Sequence, residues 1–413
     1  MRDALRKHME QAIDALIQAP GRSITLIHHN DTDGLSSGTI LMSVFEASGY
    51  QVDRFSLEKP YPEVLEQVFR QSGSIIVFAD FAGRIAPLIS RLNDRRNLVI
   101  ILDHHPAIDV PGDDTVFNLD PELFGIKGDR DISASATCYL FSELLRERQM
   151  LSHPPQLVHL GVLGAIGDGF LVDGKLSGVN RELLLLASEK GLMEIHQTQQ
   201  GEIYSIRLGS FFYPAETICE ALDTVGGVGY YSDGTERGIE ICLTGLHDQM
   251  ATYVQEMITL KDSLFSEEIK RLKDHINTTR HIQWFDVGSR FYPMGIKMIG
   301  VFCTLIKEES FLDQSKYLAG FQRIPETIGG FDSIRFDATK ISMRASDYLT
   351  QKIRRKEIPG LDTFLPLATE HLGGFSDACH SISAATVIKP GQEPSLIQEM
   401  EHILTKGETH ANR

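Results

Sequence analysis

Between Ser23 and Leu119, short apolar runs alternate with helix-like stretches, and that alternation limits the possible folds more than any other feature. Ser23–His28, Gln51–Leu57, Ser74–Ala79, Asn97–Leu102 and Val116–Leu119 read as strands. Leu35–Ser48, Tyr61–Gln71 and Arg84–Leu92 read as the helices between them. The first is opened by Gly34, Ser36, Ser37 and Gly38, and the second is set off by Pro60 and Pro62. This order predicts an α/β domain, a parallel sheet with right-handed crossovers and flanking helices. Helices then take over at Ser133–Gln149, Pro155–Ile166 and Asn180–Ser188.

At 413 residues the chain is too long for one typical core, which predicts two domains. From Gly201 to Gly245 the pattern loosens, with glycines at 226, 227, 229, 234 and 238, and the inter-domain connection is expected there. Leu246–Ile276 reads as one long helix with an apolar, core-facing stripe through Met250, Val254, Met257, Leu264 and Leu272. The last third reads as strands at Ile282–Val287, Met298–Leu305, Tyr317–Ile324, Ser333–Asp337, Lys340–Arg344 and Ser381–Ile388. Helices are expected at Leu361–His371 and Ser395–Leu404, which makes this a smaller mixed α+β domain. The expected division is 1–200, a connector with the long helix at 201–276, and 277–413.

The net charge of −16 opposes a surface coated in cations for gripping duplex DNA, but suits a site that collects divalent cations. Five scattered cysteines with no C-x-x-C pair argue against a disulfide framework or zinc knuckle and fit a reducing cytosol. The charged N-terminus has no apolar core of signal-peptide type behind it. Leu5, Ala12, Ile13, Leu16 and Ile17 sit at helical spacing instead. No stretch is long and apolar enough to span a bilayer, so a cytoplasmic protein is expected.

Three of the strand-like runs end in metal-binding residue types. The first leads into His28, His29, Asn30, Asp31, Thr32 and Asp33, the third into Asp80, and the fourth into Asp103, His104 and His105. Asp168 comes from a glycine-flanked turn, Gly164-Ala-Ile-Gly-Asp-Gly169. Ligands of open parallel sheets bind beyond the carboxyl ends of the strands, so these clusters are expected on one sheet edge. His29, Asp31 and Asp33 are alternate residues and share one side if the extended path of the strand continues. A lone Asp after a strand is usually a cap or turn residue; the joint pattern is what points to metal. Carboxylate with imidazole suits Mn²⁺, Mg²⁺ or Fe²⁺ better than a closed zinc site. Six or so ligands exceed one ion, and paired metals are a recurring device for hydrolysing phosphate esters.

The segment His29-Asn-Asp-Thr-Asp-Gly34, the lone Asp80, the triplet Asp103-His104-His105 and Gly167-Asp168 resemble, in order and spacing, the four motifs of the DHH phosphoesterases. Gly34-Leu-Ser-Ser-Gly38 is similar to the archaeal RecJ-like members. The resemblance covers roughly the first half of the chain. It implies a two-metal phosphodiester hydrolase with two divalent cations, Mn²⁺ preferred and Mg²⁺ the alternative. The ligands it implies are His29, Asp31, Asp33, Asp80, His104 and Asp168, with Asp80 bridging. The resemblance further implies that Asp103 supports a metal-bound imidazole and that His105 meets the scissile phosphate. Lys340-Ile-Ser-Met-Arg344 and His380-Ser-Ile-Ser-Ala-Ala-Thr-Val-Ile388 resemble the substrate strand and loop of the DHH-associated C-terminal domain. This makes Arg344 and His380 the substrate-binding candidates. Where the family has a glycine pair before that histidine, this chain has Ala378-Cys379, and Gly373-Gly374 lie upstream. In a second register Phe375 takes the histidine's place.

Arg344 suits bidentate capture of a phosphate. Trp284 and Phe285, as aromatics in a strand-like run, read as core rather than as a base-stacking pair. The leading expectation is an exonuclease on single-stranded DNA or RNA that releases mononucleotides. The alternative substrates are short oligonucleotides, cyclic dinucleotides or phosphoadenosine phosphate. A non-enzyme role as a structural part of a replication complex is the third reading. Partner proteins and cleavage polarity are not legible in the sequence.

Overall fold

The apolar runs of the first 119 residues form one sheet. The computed structural model describes residues 2–151 and 156–411, and the chain separates into two units, 1–257 and 258–413. In unit 1, α1 (Arg2–Gln18) precedes β1 (Ser23–His28), α2 (Thr32–Ala47), β2 (Gln51–Ser56), α3 (Pro62–Val68), β3 (Ile75–Ala79), α4 (Ala86–Asn93), β4 (Leu98–Leu102) and β5 (Val116–Asn118). These five strands are all parallel, in the order β2-β1-β3-β4-β5. All five residues of β3 are buried, as are four of the five in β4, which explains why these runs are continuously apolar. The order reverses direction between β1 and β3, and ligands bind at such a switch point. His28 pairs with Ala79, and Ala79 with Leu102, so His29, Asp80 and Asp103 leave the sheet at one level.

Helices α5 (Ala134–Gln149) and α6 (Val158–Gly167) pack on α2, followed by the two-stranded β6 (Leu171–Val172) and β7 (Lys175–Leu176) and by α7 (Gly178–Glu189). Pro155, read as the start of the helix ending near Ile166, lies outside the described residues. Amphipathic α1 buries Leu5, Met9, Ala12, Ile13 and Leu16 and packs on α5. The 201–245 stretch is ordered structure rather than a loose connection. An antiparallel sheet of β8 (Met193–Thr198), β9 (Gly201–Leu208) and β10 (Phe211–Pro214) leads into α8 (Ala215–Val228) and α9 (Gly234–Thr244). Gly226 and Gly238 are contact points, not hinges. A Cβ on Gly226 would stand 1.7 Å from the Asn30 carbonyl oxygen, and one on Gly238 would stand 2.7 Å from Leu35. The two units divide inside the long helix α10 (Asp248–Leu272), which buries Met250, Val254, Phe265 and Leu272.

Unit 2 is built on a mixed sheet with the order β11-β12-β13-β14-β16-β15. Its strands are β11 (Asn277–Thr278), β12 (Ile282–Asp286), β13 (Tyr317–Arg323), β14 (Thr339–Arg344), β15 (Phe375–Cys379) and β16 (Ser383–Ile388). Its helices are α11 (Lys297–Ile306), α12 (Asp347–Arg354), α13 (Leu361–His371) and α14 (Glu393–Ala411). Residues 298–305, expected as a strand, belong to helix α11. Met298, Ile299, Phe302, Cys303 and Ile306 are buried while Val301 and Leu305 are exposed, a helical spacing hidden inside an apolar run. Ser333–Asp337, also expected as a strand, lies in a loop with no ladder partner. Phe285 is fully buried against Phe302, and Trp284 is partly buried where it packs on Phe321 of the core. Among the described residues no helix is long and apolar enough to cross a membrane.

Candidate metal centre

The motif after β1 does not continue as a strand. Asp31 caps α2, its side chain accepting from the Gly34 N–H at 3.1 Å, and Asp33 sits in the first helical turn. The three motif side chains therefore converge through a capped turn rather than through strand alternation. Gly34 makes the turn possible, because a Cβ there would lie 2.5 Å from the His29 backbone.

Two groups of ligand atoms result. His29 Nδ1 lies 2.8 Å from Asp31 Oδ2 and 3.4 Å from Asp80 Oδ2. His104 Nε2 lies 3.4 Å from Asp80 Oδ1, 3.4 Å from Asp168 Oδ2 and 3.8 Å from Asp33 Oδ2. The Asp80 carboxylate thus turns one oxygen toward each group. Asp80 itself is held at φ +66, in the left-handed region that aspartate and asparagine tolerate better than most other side chains.

Each group is positioned by distant parts of the chain. Asp33 accepts from the Ala134 and Ser135 N–H groups at 2.8 and 2.9 Å, orphan donors at the start of α5. Asp168 caps the C-terminus of α6. That helix carries glycine every third residue. A Cβ on Gly164 would stand 1.8 Å from Asp33 Oδ1, and one on Gly167 would stand 2.6 Å from Thr32. His104 Nδ1 donates to the Gly128 carbonyl at 2.6 Å, which leaves Nε2 buried without a hydrogen-bond partner. A carbonyl fixing one ring nitrogen while the other faces carboxylates is the arrangement of a metal-bound histidine. Asp103 is buried, accepts from the Gly83 N–H at 2.8 Å, and orients the half-exposed ring of His105 at 2.8 Å. Its imidazole partner is thus His105, not His104.

The electrostatics suit a cation held among these groups. Burial and the neighbouring Asp80 carboxylate push Asp33 up to about 6. Burial, then Asp33, raises Asp168 well above the carboxylate range. Burial alone would lower His29, but Asp31 and Asp80 overcome it and raise the ring to about 10. His105 rises to about 9 because Asp103 outweighs its burial. An orphaned imidazole nitrogen amid crowded carboxylates is a donor set that divalent cations fit.

Several residues that hold the site carry no local sequence signal. Arg54 donates to His28 Nε2 at 2.9 Å and pairs with Glu236. Because a guanidinium only donates, the proton of His28 is on Nδ1, which donates to the His29 carbonyl at 2.6 Å. Burial, then Arg54, lowers His28 to about 3 and keeps it neutral. On the other side, Asn30 donates to the Gly226 carbonyl at 2.8 Å, and the Thr32 N–H donates to Asp223 at 3.0 Å. Arg344 and His380 lie in unit 2, at adjoining strand ends: Arg344 pairs with Ser383, whose carbonyl accepts from the His380 N–H at 2.9 Å. The Arg344 guanidinium donates to Thr304 Oγ1 at 2.8 Å and to the Met343 carbonyl at 2.8 Å. It has no carboxylate partner among the described residues.

Residues 23–165 match the DHH family, N-terminal domain. An uncharacterized protein of Methanocaldococcus jannaschii is 31% identical over 191 residues, which cover 45% of this chain and 41% of that protein. The match thus spans less than half the length of that relative. The fold is shared with the exonuclease RecJ bound to manganese, at a TM-score of 0.59 and 15% identity over 96% of this chain and 94% of that one. It is also shared with RecJ of Thermus thermophilus in complex with Mn²⁺, at 0.61 and 17% over 97% of this chain and 55% of that one.

Proposed function

We propose that this chain, whose residues 23–165 match the N-terminal domain of the DHH family, is a two-metal phosphodiester hydrolase that degrades single-stranded DNA or RNA from an end to mononucleotides. The observation that carries the reading is Asp80, whose two carboxylate oxygens face two separate ligand groups. A pair of divalent cations, Mn²⁺ preferred, supplies charge neutralisation and an activated water when bound. His29 and Asp31 would hold one ion, Asp33, His104 and Asp168 would hold the other, and Asp80 would contribute to both. Asp103 is a positioning residue: it anchors His105 through Nδ1 and leaves Nε2 of that ring to donate to a phosphate oxygen. Arg344 of unit 2 is the candidate for capturing a phosphate, since no carboxylate among the described residues neutralises its charge, and the exposed His380 stands at the neighbouring strand end. Catalysis then rests on positioning and on charge stabilisation.

One observation favours a smaller substrate. The hairpin of β15 and β16 carries Ala378-Cys379 where a glycine pair is expected to let backbone approach a phosphate closely. The second reading is therefore hydrolysis of short oligonucleotides, cyclic dinucleotides or phosphoadenosine phosphate. End-labelled single-stranded DNA and RNA of graded length, with these small substrates alongside and Mn²⁺ present, separate the two. An exonuclease keeps its rate on long strands. A rate that collapses beyond a few nucleotides establishes the second reading, and no Mn²⁺ uptake in a calorimetric titration overturns both.

A further inference from the structure

Unit 2 contains a cavity of about 1150 Å³ that shares no residue with the metal cluster. Its floor is apolar and aromatic, formed by the buried Tyr317, Ile353 and Phe364. Its wall carries Tyr348, Lys352 and Lys356. Tyr348 is 48% exposed, and the Lys352 ammonium lies 4.6 Å from its ring centre. Lys356 is exposed, follows α12 in a left-handed turn at φ +59, and has no ion pair among the described residues.

The charge around this cavity is unusual for the chain. The whole −16 net charge falls within residues 1–257, whereas acidic and basic residues balance in 258–413. Within that neutral unit, Lys352-Ile-Arg-Arg-Lys356 places four cations in five residues, and Arg354 and Arg355 are exposed beside the cavity residues. Glu357 partly offsets them, 3.9 Å from Arg355. A ligand that satisfies both features needs a flat, weakly polar body for the rings and closely spaced negative charge for the cations. Nucleotide units have both, whereas an acidic peptide has the charge without the flat body. The volume exceeds the usual range for a single small ligand, roughly 300–1,000 Å³, and leaves room for more than one unit of a strand.

We propose that this cavity anchors single-stranded nucleic acid, stacking a base on Tyr348 and seating the adjoining phosphates on Lys352 and Lys356. The proposal deepens the exonuclease reading, since an anchor matters only for substrates long enough to reach it. The test uses the full chain with Lys352→Glu and Lys356→Glu combined, and separately Tyr348→Ala. Binding of a labelled strand of about 20 nucleotides, longer than one typical single-strand site, is followed by fluorescence anisotropy in chelator across a salt series. Mn²⁺-dependent hydrolysis of a dinucleotide is measured alongside.

The double variant is expected to bind the strand about tenfold more weakly or worse. Its slope of log affinity against log salt should shrink by about 1.4, since each phosphate contact to a single strand contributes about 0.7. Tyr348→Ala is expected to weaken strand binding about tenfold with the salt slope retained. Dinucleotide hydrolysis should match the wild type in all variants. Unchanged affinity and slope in the double variant would overturn the anchor, as would equal competition by polyglutamate, which has charge but no bases. If the wild type binds the strand through these lysines yet hydrolyses nothing, the hydrolase reading falls and the anchor stands. If the wild type hydrolyses dinucleotides while the variants bind strands normally, only the anchor falls.

Discussion

Gly164→Ala tests the metal centre without removing a single ligand. The added methyl would stand 1.8 Å from Asp33 Oδ1 and 2.2 Å from Ser135 Oγ, against the 3.4 Å at which ordinary contact begins. Something must yield by about 1.6 Å. The Asp33 carboxylate cannot do so without leaving the Ala134 and Ser135 N–H groups, and α6 cannot do so without carrying Asp168 away from His104. Either movement misplaces a ligand by an ångström or more, and displacements of that size cost about 100-fold in rate. The stability cost of overpacking is about 1–3 kcal/mol, short of unfolding a typical domain. Gly161→Ala is the matched control. It lies one turn earlier on the same helix, and its methyl would stand 3.0 Å from Tyr139 Cβ, away from any ligand. Mn²⁺-dependent hydrolysis and urea denaturation of both variants decide the matter. Gly164→Ala should lose activity about 100-fold while Gly161→Ala keeps most of it. Wild-type activity in Gly164→Ala, or equal losses in the two, would refute the placement of Asp33 among the ligands.

Asp80→Asn keeps a side chain that tolerates the left-handed backbone but removes the bridging charge from among Asp31, Asp33 and Asp168. Hydrolysis should vanish, while the melting temperature in chelator stays level or rises; two Mn²⁺ ions still bound in calorimetry would show that the bridge is misassigned. Arg54→Met breaks the hydrogen bond that orients His28 toward the His29 carbonyl and should weaken Mn²⁺ binding by about tenfold. An unchanged Mn²⁺ titration would remove Arg54 and His28 from the site's support. Glu202 tests pH dependence away from the cluster. Burial works to raise its pKa, but hydrogen bonds from Arg181, Gln197 and Tyr204 lower it overall. A folded pKa below the unfolded one means stability that is present above about pH 4.3 and is lost as pH falls through the folded value. Glu202→Gln should therefore be less stable than wild type by about 1–3 kcal/mol at neutral pH, with the gap closing below about pH 4. A gap constant down to about pH 3 in denaturation curves would contradict the assignment.

The parallel sheet was legible because buried strands must be apolar throughout and because each ends abruptly in polar residues, as at Leu102-Asp103. The metal-binding residue types were legible for the same reason. Their local geometry was not. The spacing of His29, Asp31 and Asp33 fits a strand, but Asp31 takes the competing role of helix cap. In α11, apolar residues at nearly every position conceal the period, so a helix looks like a strand. The supports of the site were hidden by separation in the chain. Nothing near Asp33 announces N–H donors about a hundred residues later, and nothing near Thr32 announces Asp223. Glycines in α8 and α9 resemble a linker until what they admit is seen beside them, the Asn30 carbonyl at Gly226 and the Leu35 side chain at Gly238.

The hold of α5 on Asp33 has a kinetic corollary. A ribosome-bound chain that stops short of Ala134, or a half-refolded one in which α5 has not docked, has the first motif but nothing to aim its second aspartate. Catalytic competence should appear late in folding, after strand order is set and α5 and α6 have docked. In a refolding experiment, recovery of turnover would then act as a clock for the final assembly of unit 1, lagging behind the return of circular dichroism.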